Sequence, residues 1–170
     1  MNLKSYYEQY TASVSTKEMA ISLKTAETII RFLEERKPNR IADVGSGFSS
    51  FISAAYAFET GAKVDIFDES PEWLYKTEKF IKSQGYNTSK VQYHPLNEFN
   101  CNDYDFIFFD TCGDNRIENL KKLKGCKAFV ILDDCQRQEY EKAVNKIGFK
   151  LIKFQDEADE YGRFCGLLQR

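Results

Sequence analysis

The stretch Ile41-Ala-Asp43-Val-Gly45-Ser-Gly47-Phe-Ser49-Ser50 decides the fold. It reads as a strand, a glycine-containing turn and the start of a helix. Such turns lie at the carboxyl edge of an open α/β sheet, where ligands bind. Glycine lets the backbone approach a ligand closely. The helix that follows offers free N–H groups and a partial positive charge.

Outward from this turn, short apolar runs alternate with amphipathic stretches of helix length. The runs are Ile41–Val44, Val64–Phe67, Val91–Tyr93, Phe106–Phe109 and Ala128–Leu132. The helical stretches are 49–59, 71–83, 115–123 and 136–147, and Gly61, Gly85 and Gly148 stand as stop signals after three of them. Ser70-Pro71 has the form of an N-cap followed by proline at the first helical position. Strands alternating with helices build a parallel sheet through right-handed crossovers. The rhythm breaks at the C-terminus. Lys150–Phe154 and Arg163–Leu168, joined by an acidic loop, have no room for a helix between them and are expected to pair as an antiparallel hairpin. Upstream, a 3.6-residue period over 16–36 predicts a helix with Met19, Leu23, Ala26, Ile30 and Leu33 on its apolar stripe. Ser15 and Glu18 have capping-box spacing for its start.

The ligand class follows from charge. A dinucleotide fingerprint needs G-x-G-x-x-G, and here Ser50 holds the third glycine position. Asp43 would repel a pyrophosphate but welcome a cation. S-adenosylmethionine carries an ammonium and a sulfonium and no phosphate, so D-x-G-x-G suits it better than NAD. Asp68 ends the second run, where a carboxylate can accept hydrogen bonds from both ribose hydroxyls. Glu69 is beside it, and Trp73 is placed to pack by an adenine or in the core.

Composition bounds the rest. The chain has 170 residues, 24 basic and 26 acidic, for a formal net charge of −2, which argues against a broad electrostatic grip on nucleic acid. No apolar run is long enough to span a bilayer, and the opening MNLKSYYEQY has no secretory pattern. A cytoplasmic location is expected. Five cysteines, Cys101, Cys112, Cys126, Cys135 and Cys165, show no CxxC spacing and read as buried thiols. His94 is the single histidine, so a zinc site is disfavoured.

The segments DVGSGFSS (43–50), FDESPEWL (67–74), YDFIFFD (104–110) and FVILDD (129–134) resemble those of class I S-adenosylmethionine-dependent methyltransferases, over residues 15–168. The resemblance implies a three-layer αβα, Rossmann-like fold. Its mostly parallel seven-stranded sheet would have the order 3-2-1-4-5-7-6, with strand seven antiparallel. It implies one domain over 1–170, with a cap segment and helix at 1–36 and the core at 37–170. It also implies cofactor roles. Asp43, Gly45, Ser46 and Gly47 would hold the methionine part, Asp68 the ribose, Leu96 and Asn97 the adenine edge, and Glu69 and Asp110 would line the cofactor pocket. The family often carries an acid in the adenine loop; here Asn97 or Glu98 must serve.

Asp110 ends the fourth run, and Asp133 and Asp134 end the fifth. On neighbouring strands they would converge, a hard-cation arrangement for Mg²⁺ or another divalent ion. This resembles the metal-dependent relatives of catechol methyltransferase, in which a metal holds a substrate hydroxyl beside the methyl. Those enzymes carry a lysine base shortly after the strand-four aspartate, and Gly113 stands about there, after Thr111 and Cys112. Asp110 and Asp133 are thus the candidate catalytic residues, and Asp134 a candidate for metal or for a substrate amine. His94 follows the third strand, on the adenine side, and is a weak base candidate. The acidic loop Asp156, Glu157, Asp159, Glu160 is expected at the cofactor edge, attracting a cationic substrate or merely solvated.

Residues 1–14 read as too polar to bury a core face. Tyr6, Tyr7 and Tyr10 suit the wall of a half-wet pocket, so the segment is expected to be a mobile lid contributing to acceptor binding. The expected activity is methyl transfer to oxygen or nitrogen of a small molecule. The rivals are an NAD-dependent oxidoreductase and a cofactor-binding module of the same fold without chemistry. A nucleic-acid methyltransferase is disfavoured by charge and by Asp110-Thr-Cys-Gly, where an N/D-P-P-Y/F motif would stand. A homo-oligomer is compatible with the sequence.

Overall fold

A computed structural model describes residues 2–111 and 115–170. Helices α1 (Leu3–Ser13) and α2 (Leu23–Arg36) precede the alternating core. The core runs β1 (Arg40–Val44), α3 (Phe48–Thr60), β2 (Lys63–Asp68), α4 (Pro71–Ser83), β3 (Val91–Pro95), β4 (Phe106–Phe109), α5 (Arg116–Leu120), β5 (Phe129–Leu132), α6 (Gln138–Lys146), β6 (Lys150–Lys153) and β7 (Gly166–Gln169). The sheet order is β3-β2-β1-β4-β5-β7-β6. β7 is antiparallel to both β5 and β6, while the pairings among β1 to β5 are parallel. The order and the antiparallel hairpin are those expected from the sequence.

The period-2 alternation of each strand feeds two cores. Ile41, Ile66, Phe106, Phe108 and Ile131 pack on the face covered by α1 to α4. Val44, Phe67, Ile107, Phe109 and Leu132 pack on the face shared with α5 and α6. Strand residues buried on both faces read as continuous apolar runs, which is why the runs were legible. Ser70 caps α4, accepting from the Trp73 amide at 3.4 Å, with Pro71 behind it. Cys101, Cys126, Cys135 and Cys165 are buried free thiols; Cys112 and Gly113 lie outside the described residues.

Two expectations fail at the N-terminus. The helix predicted over 16–36 starts only at Leu23, because Ser22, not Ser15, supplies the cap: its Oγ accepts from the Thr25 amide at 2.9 Å. Met19, placed on the apolar stripe, is 65 % exposed. Residues 1–14 are also not too polar to bury a core face. They form α1, and Tyr7 and Tyr10 are buried in the core. The rings of Tyr10 and Phe80 meet edge to face at 5.0 Å, and Phe48 lies 5.5 Å from Tyr10. A tyrosine buries its ring and keeps its hydroxyl at a polar edge, so a polar-looking helix can still contribute a large apolar face.

Candidate functional site

The turn after β1 sits at the carboxyl edge of the sheet. Gly45 has φ +104°, and a Cβ there would lie 1.9 Å from the Asp110 carbonyl oxygen, so only glycine fits. Gly47 is different. Its backbone is extended, and a Cβ would meet nothing nearer than the Tyr10 hydroxyl at 3.8 Å. The first glycine packs the turn onto β4, and the second leaves open space above it.

Asp43 is fully buried under this turn. Its Oδ1 accepts from Ser49 Oγ at 3.0 Å, and Oδ2 has no partner among the described residues. Burial pushes its carboxyl well above the usual carboxylate range, against the pull of the Ser49 and Ser50 hydroxyls. A buried carboxyl oxygen without a partner is a place for a cationic or hydrogen-donating ligand to be recognised. Asp68, at the end of β2, accepts from the Ser46 amide and Ser46 Oγ, each at 2.7 Å, and from the Ser70 amide at 2.7 Å. A carboxylate has about four lone-pair sites, so one direction remains for a ligand.

Three hollows adjoin along this edge. One, of about 300 Å³, is lined by Asp68, Glu69, Leu96, Asn97 and Asn119. The next is lined by Gly45 to Gly47, Asp68, Trp73 and Asp110, with Met19 to Ile21 as a strap on its far side; its volume is only about 50 Å³. The third, about 450 Å³, is lined by the same strap with Asp110, Asp133, Asp134, Arg116 and Tyr140. Asp68 is the wall shared by the first two, and Asp110 the wall shared by the last two. All the residues assigned to the cofactor from sequence, apart from the buried Asp43, line this row.

The strap is held from the far side of the chain. Arg163 donates from Nη1 to the carbonyls of Glu18 (2.6 Å) and Ala20 (3.1 Å) and from Nη2 to Lys17 O (2.9 Å), while its Nε is fixed on Asp159 Oδ2 at 2.9 Å. Within the acidic loop, Asp159 therefore orients an arginine, and Glu157 pairs with Arg31 and accepts from Thr28. Tyr6 packs on Phe51, with ring centroids 4.8 Å apart. Tyr7 lines a separate hollow with Lys4 and Lys17. Of the three tyrosines, Tyr10 reaches the glycine turn. His94 stacks on Phe67 between Asp65 and Glu98, away from the aspartate cluster.

The carboxylates at the heads of β4 and β5 do converge, but on an arginine. Arg116 Nη1 lies 3.1 Å from Asp110 Oδ1 and 3.0 Å from Asp134 Oδ2, and Nη2 donates to the Asp133 carbonyl at 2.8 Å. Arg116 is 4 % exposed, and its guanidinium lies 4.7 Å from the Tyr140 ring. Among the described residues no three His, Cys, Asp or Glu side chains are grouped to hold a metal ion. At Asp110, Asp133 and Asp134, where a divalent site was expected, a guanidinium stands between two of the carboxylates. Thr25 Oγ1, in the first turn of α2, donates to Asp133 Oδ1 at 3.3 Å. Burial, with Asp110 and Asp134 nearby, pushes the Asp133 carboxyl up to about 8. Asp110 is also raised by burial, with Arg116 opposing the shift.

Sequence reasoning missed Arg116, Arg163, Thr25 and the strap. The signal for Arg116 was present: three acids at two adjacent strand ends need a counter-charge, and Arg116 follows β4 closely. Nothing local marks Arg163, whose targets are about 145 residues away in the chain.

No family model and no curated protein matches this sequence. Solved structures match over nearly the whole chain. An SAH-bound methyltransferase of Podospora anserina is 15 % identical with a TM-score of 0.69, covering 98 % of this chain and 86 % of its own. An O-methyltransferase from Bacillus cereus, in complex with SAH, is 14 % identical with a TM-score of 0.70, covering 99 % and 90 %. The O-methyltransferase TomG from Streptomyces achromogenes, in complex with SAM, is 14 % identical with a TM-score of 0.70, covering 100 % and 91 %. The chain has the Rossmann-like fold of class I methyltransferases.

Proposed function

We propose that this protein is a methyltransferase that uses S-adenosylmethionine and acts on oxygen or nitrogen of a small molecule. The observation that carries the reading is the row of three hollows, joined at Asp68 and at Asp110, on the ligand-binding edge of this fold. Its order corresponds to nucleoside, methionine and acceptor. The SAM- and SAH-bound neighbours of the same fold support it.

Bound there, S-adenosylmethionine supplies an electrophilic methyl on a sulfonium. The chain supplies position and charge. Asp68 and Glu69 take the ribose side, and Leu96 and Asn97 the adenine edge. Asp43 and the 45–47 turn take the methionine ammonium. Asp110, lining both the middle and the acceptor hollow, places negative charge near the sulfonium. Alignment of nucleophile, methyl and leaving sulfur is the main need of such a displacement. Asp133 lines the acceptor hollow and is assigned to take the proton that the acceptor O–H or N–H loses. Tyr10 and Asp134 are assigned to the walls of the site.

Calorimetric titration of the full chain with S-adenosylhomocysteine, NAD and ATP in parallel tests the reading. Binding of the first alone is expected. NAD binding without S-adenosylhomocysteine binding would replace it by the oxidoreductase reading. Binding with no turnover on a broad acceptor panel would leave a cofactor-binding module.

A further inference from the structure

The geometry points to Arg116 as a resident cation, a guanidinium built into the carboxylate cluster where a divalent ion would otherwise be expected, so that Asp110 and Asp134 are positioned without metal. The catalytic consequence rests on the methyl-transfer reading; the inference itself concerns this cluster and is tested without cofactor.

One nitrogen, Nη1, bridges the two carboxylates at 3.1 and 3.0 Å, and the second, Nη2, takes the main-chain carbonyl of Asp133 at 2.8 Å. A single planar group thus ties the ends of β4 and β5 together. The site is built to hold it. The guanidinium lies over the face of Tyr140, where cation–π attraction adds to the ion pairs. Asp134 adopts a left-handed backbone, φ +54°, and its other oxygen, Oδ1, accepts from Gln136 Nε2 at 3.1 Å. The Asp134 carboxylate is therefore engaged from two sides by hydrogen-bond donors.

A hard divalent ion needs about six oxygens at roughly 2.0–2.6 Å and tolerates no cation among them. Two buried cations cannot share the Asp110 and Asp134 oxygens, so entry of a metal requires that Arg116 leave. Buried near this aromatic face and paired twice, it has no low-cost place to go. Arg116 is a positioning residue: it fixes Asp110, which lines both the cofactor and the acceptor hollow, without touching the reacting atoms. Lysine would supply the charge but not the fork that reaches two carboxylates and a carbonyl.

The test is Mn²⁺ binding, read by electron paramagnetic resonance on the metal-free full chain without cofactor. Wild type is expected to show no saturable site up to about 1 mM, where an open oxygen cluster would bind. R116M keeps an unbranched, flexible stem and removes the charge. It is expected to gain one saturable Mn²⁺ site, lost again in R116M/D134N. R116K, which retains a cation, is expected to bind none. A saturable site in wild type that D110N or D134N abolishes would overturn the inference, as would a cooperatively melting R116M with no Mn²⁺ site. Should R116M fail to fold, wild type and R116K still decide, since a saturable, D134N-sensitive site in either sinks the idea. None of these outcomes depends on cofactor binding, so they are separable from a failure of the methyl-transfer reading.

Discussion

Gly45 and Asp110 touch backbone to backbone: a Cβ on Gly45 would stand 1.9 Å from the Asp110 carbonyl oxygen, and the Asp110 amide in turn donates to Val44 O at 2.7 Å. This contact sets the glycine turn against the strand end that divides the middle hollow from the third. Gly45→Ala must either break it or strain a left-handed residue. We expect a loss of more than about 3 kcal/mol in unfolding free energy, or no soluble fold, measured by urea titration. Gly47→Ala has room and an extended backbone, so its stability should change little.

Asp68 holds the glycine turn through Ser46 and the start of α4 through the Ser70 amide. Asp68→Ala leaves those donors unpaired and removes the carboxylate proposed to accept from the ribose. Affinity for S-adenosylhomocysteine should fall by about 1–3 kcal/mol, read by calorimetry, with a lower melting temperature in the unliganded protein.

The pH dependence of stability carries a sign. Asp133 is raised from 3.8 to about 8 in the folded chain, with burial the largest cause. Between those values the folded state keeps a proton that the unfolded state has lost. Stability should therefore fall as pH rises from about 4, levelling above about 8. Asp43 and Asp110 shift in the same direction, so the Asp133 share is the difference between wild type and Asp133→Asn. That variant should show a shallower decline in denaturation midpoint over this window. On the proposed assignment of Asp133 as proton acceptor, turnover should rise through the same range and vanish in the variant.

Arg163 pins the strap through the carbonyls of Lys17, Glu18 and Ala20, and the hollow beneath is only about 50 Å³. A nucleoside sulfonium does not enter so small a space unless the strap moves. Arg163→Ala should raise both association and dissociation rates of S-adenosylhomocysteine in stopped-flow measurements. An unchanged dissociation rate would show that the strap does not gate the site.

Deleting residues 1–12 should destabilise the fold rather than merely uncover a pocket. Tyr10 is 1 % exposed between Phe48 and Phe80, and losing a buried aromatic costs about 3–5 kcal/mol. Thermal melts and dye binding to the exposed aromatic face read this directly. A deletion variant melting like wild type would restore the view of this segment as a detachable lid.

The sequence by itself determined the sheet. Five apolar runs separated by helix-length segments, with no helix between the last two strands, fix strand type, count and direction through periodicity and crossover handedness. It also marked the residues that stand at the strand ends. Asp43, Gly45, Asp68 and Asp110 each follow from a local pattern, and Gly45 is required by a turn that the sequence already marks. Tertiary structure decided what these groups face. The cation beside Asp110 and Asp134, Arg116, is brought to them by the path after β4, not by spacing. Tyr10 was legible as a pocket wall but not as a core residue, because burial of its ring depends on Phe48 and Phe80, which belong to other helices. Arg163 meets a strap at the other end of the chain. Local propensity is written within a few residues, whereas ion pairing and burial depend on which distant residues the fold brings within about 4 Å.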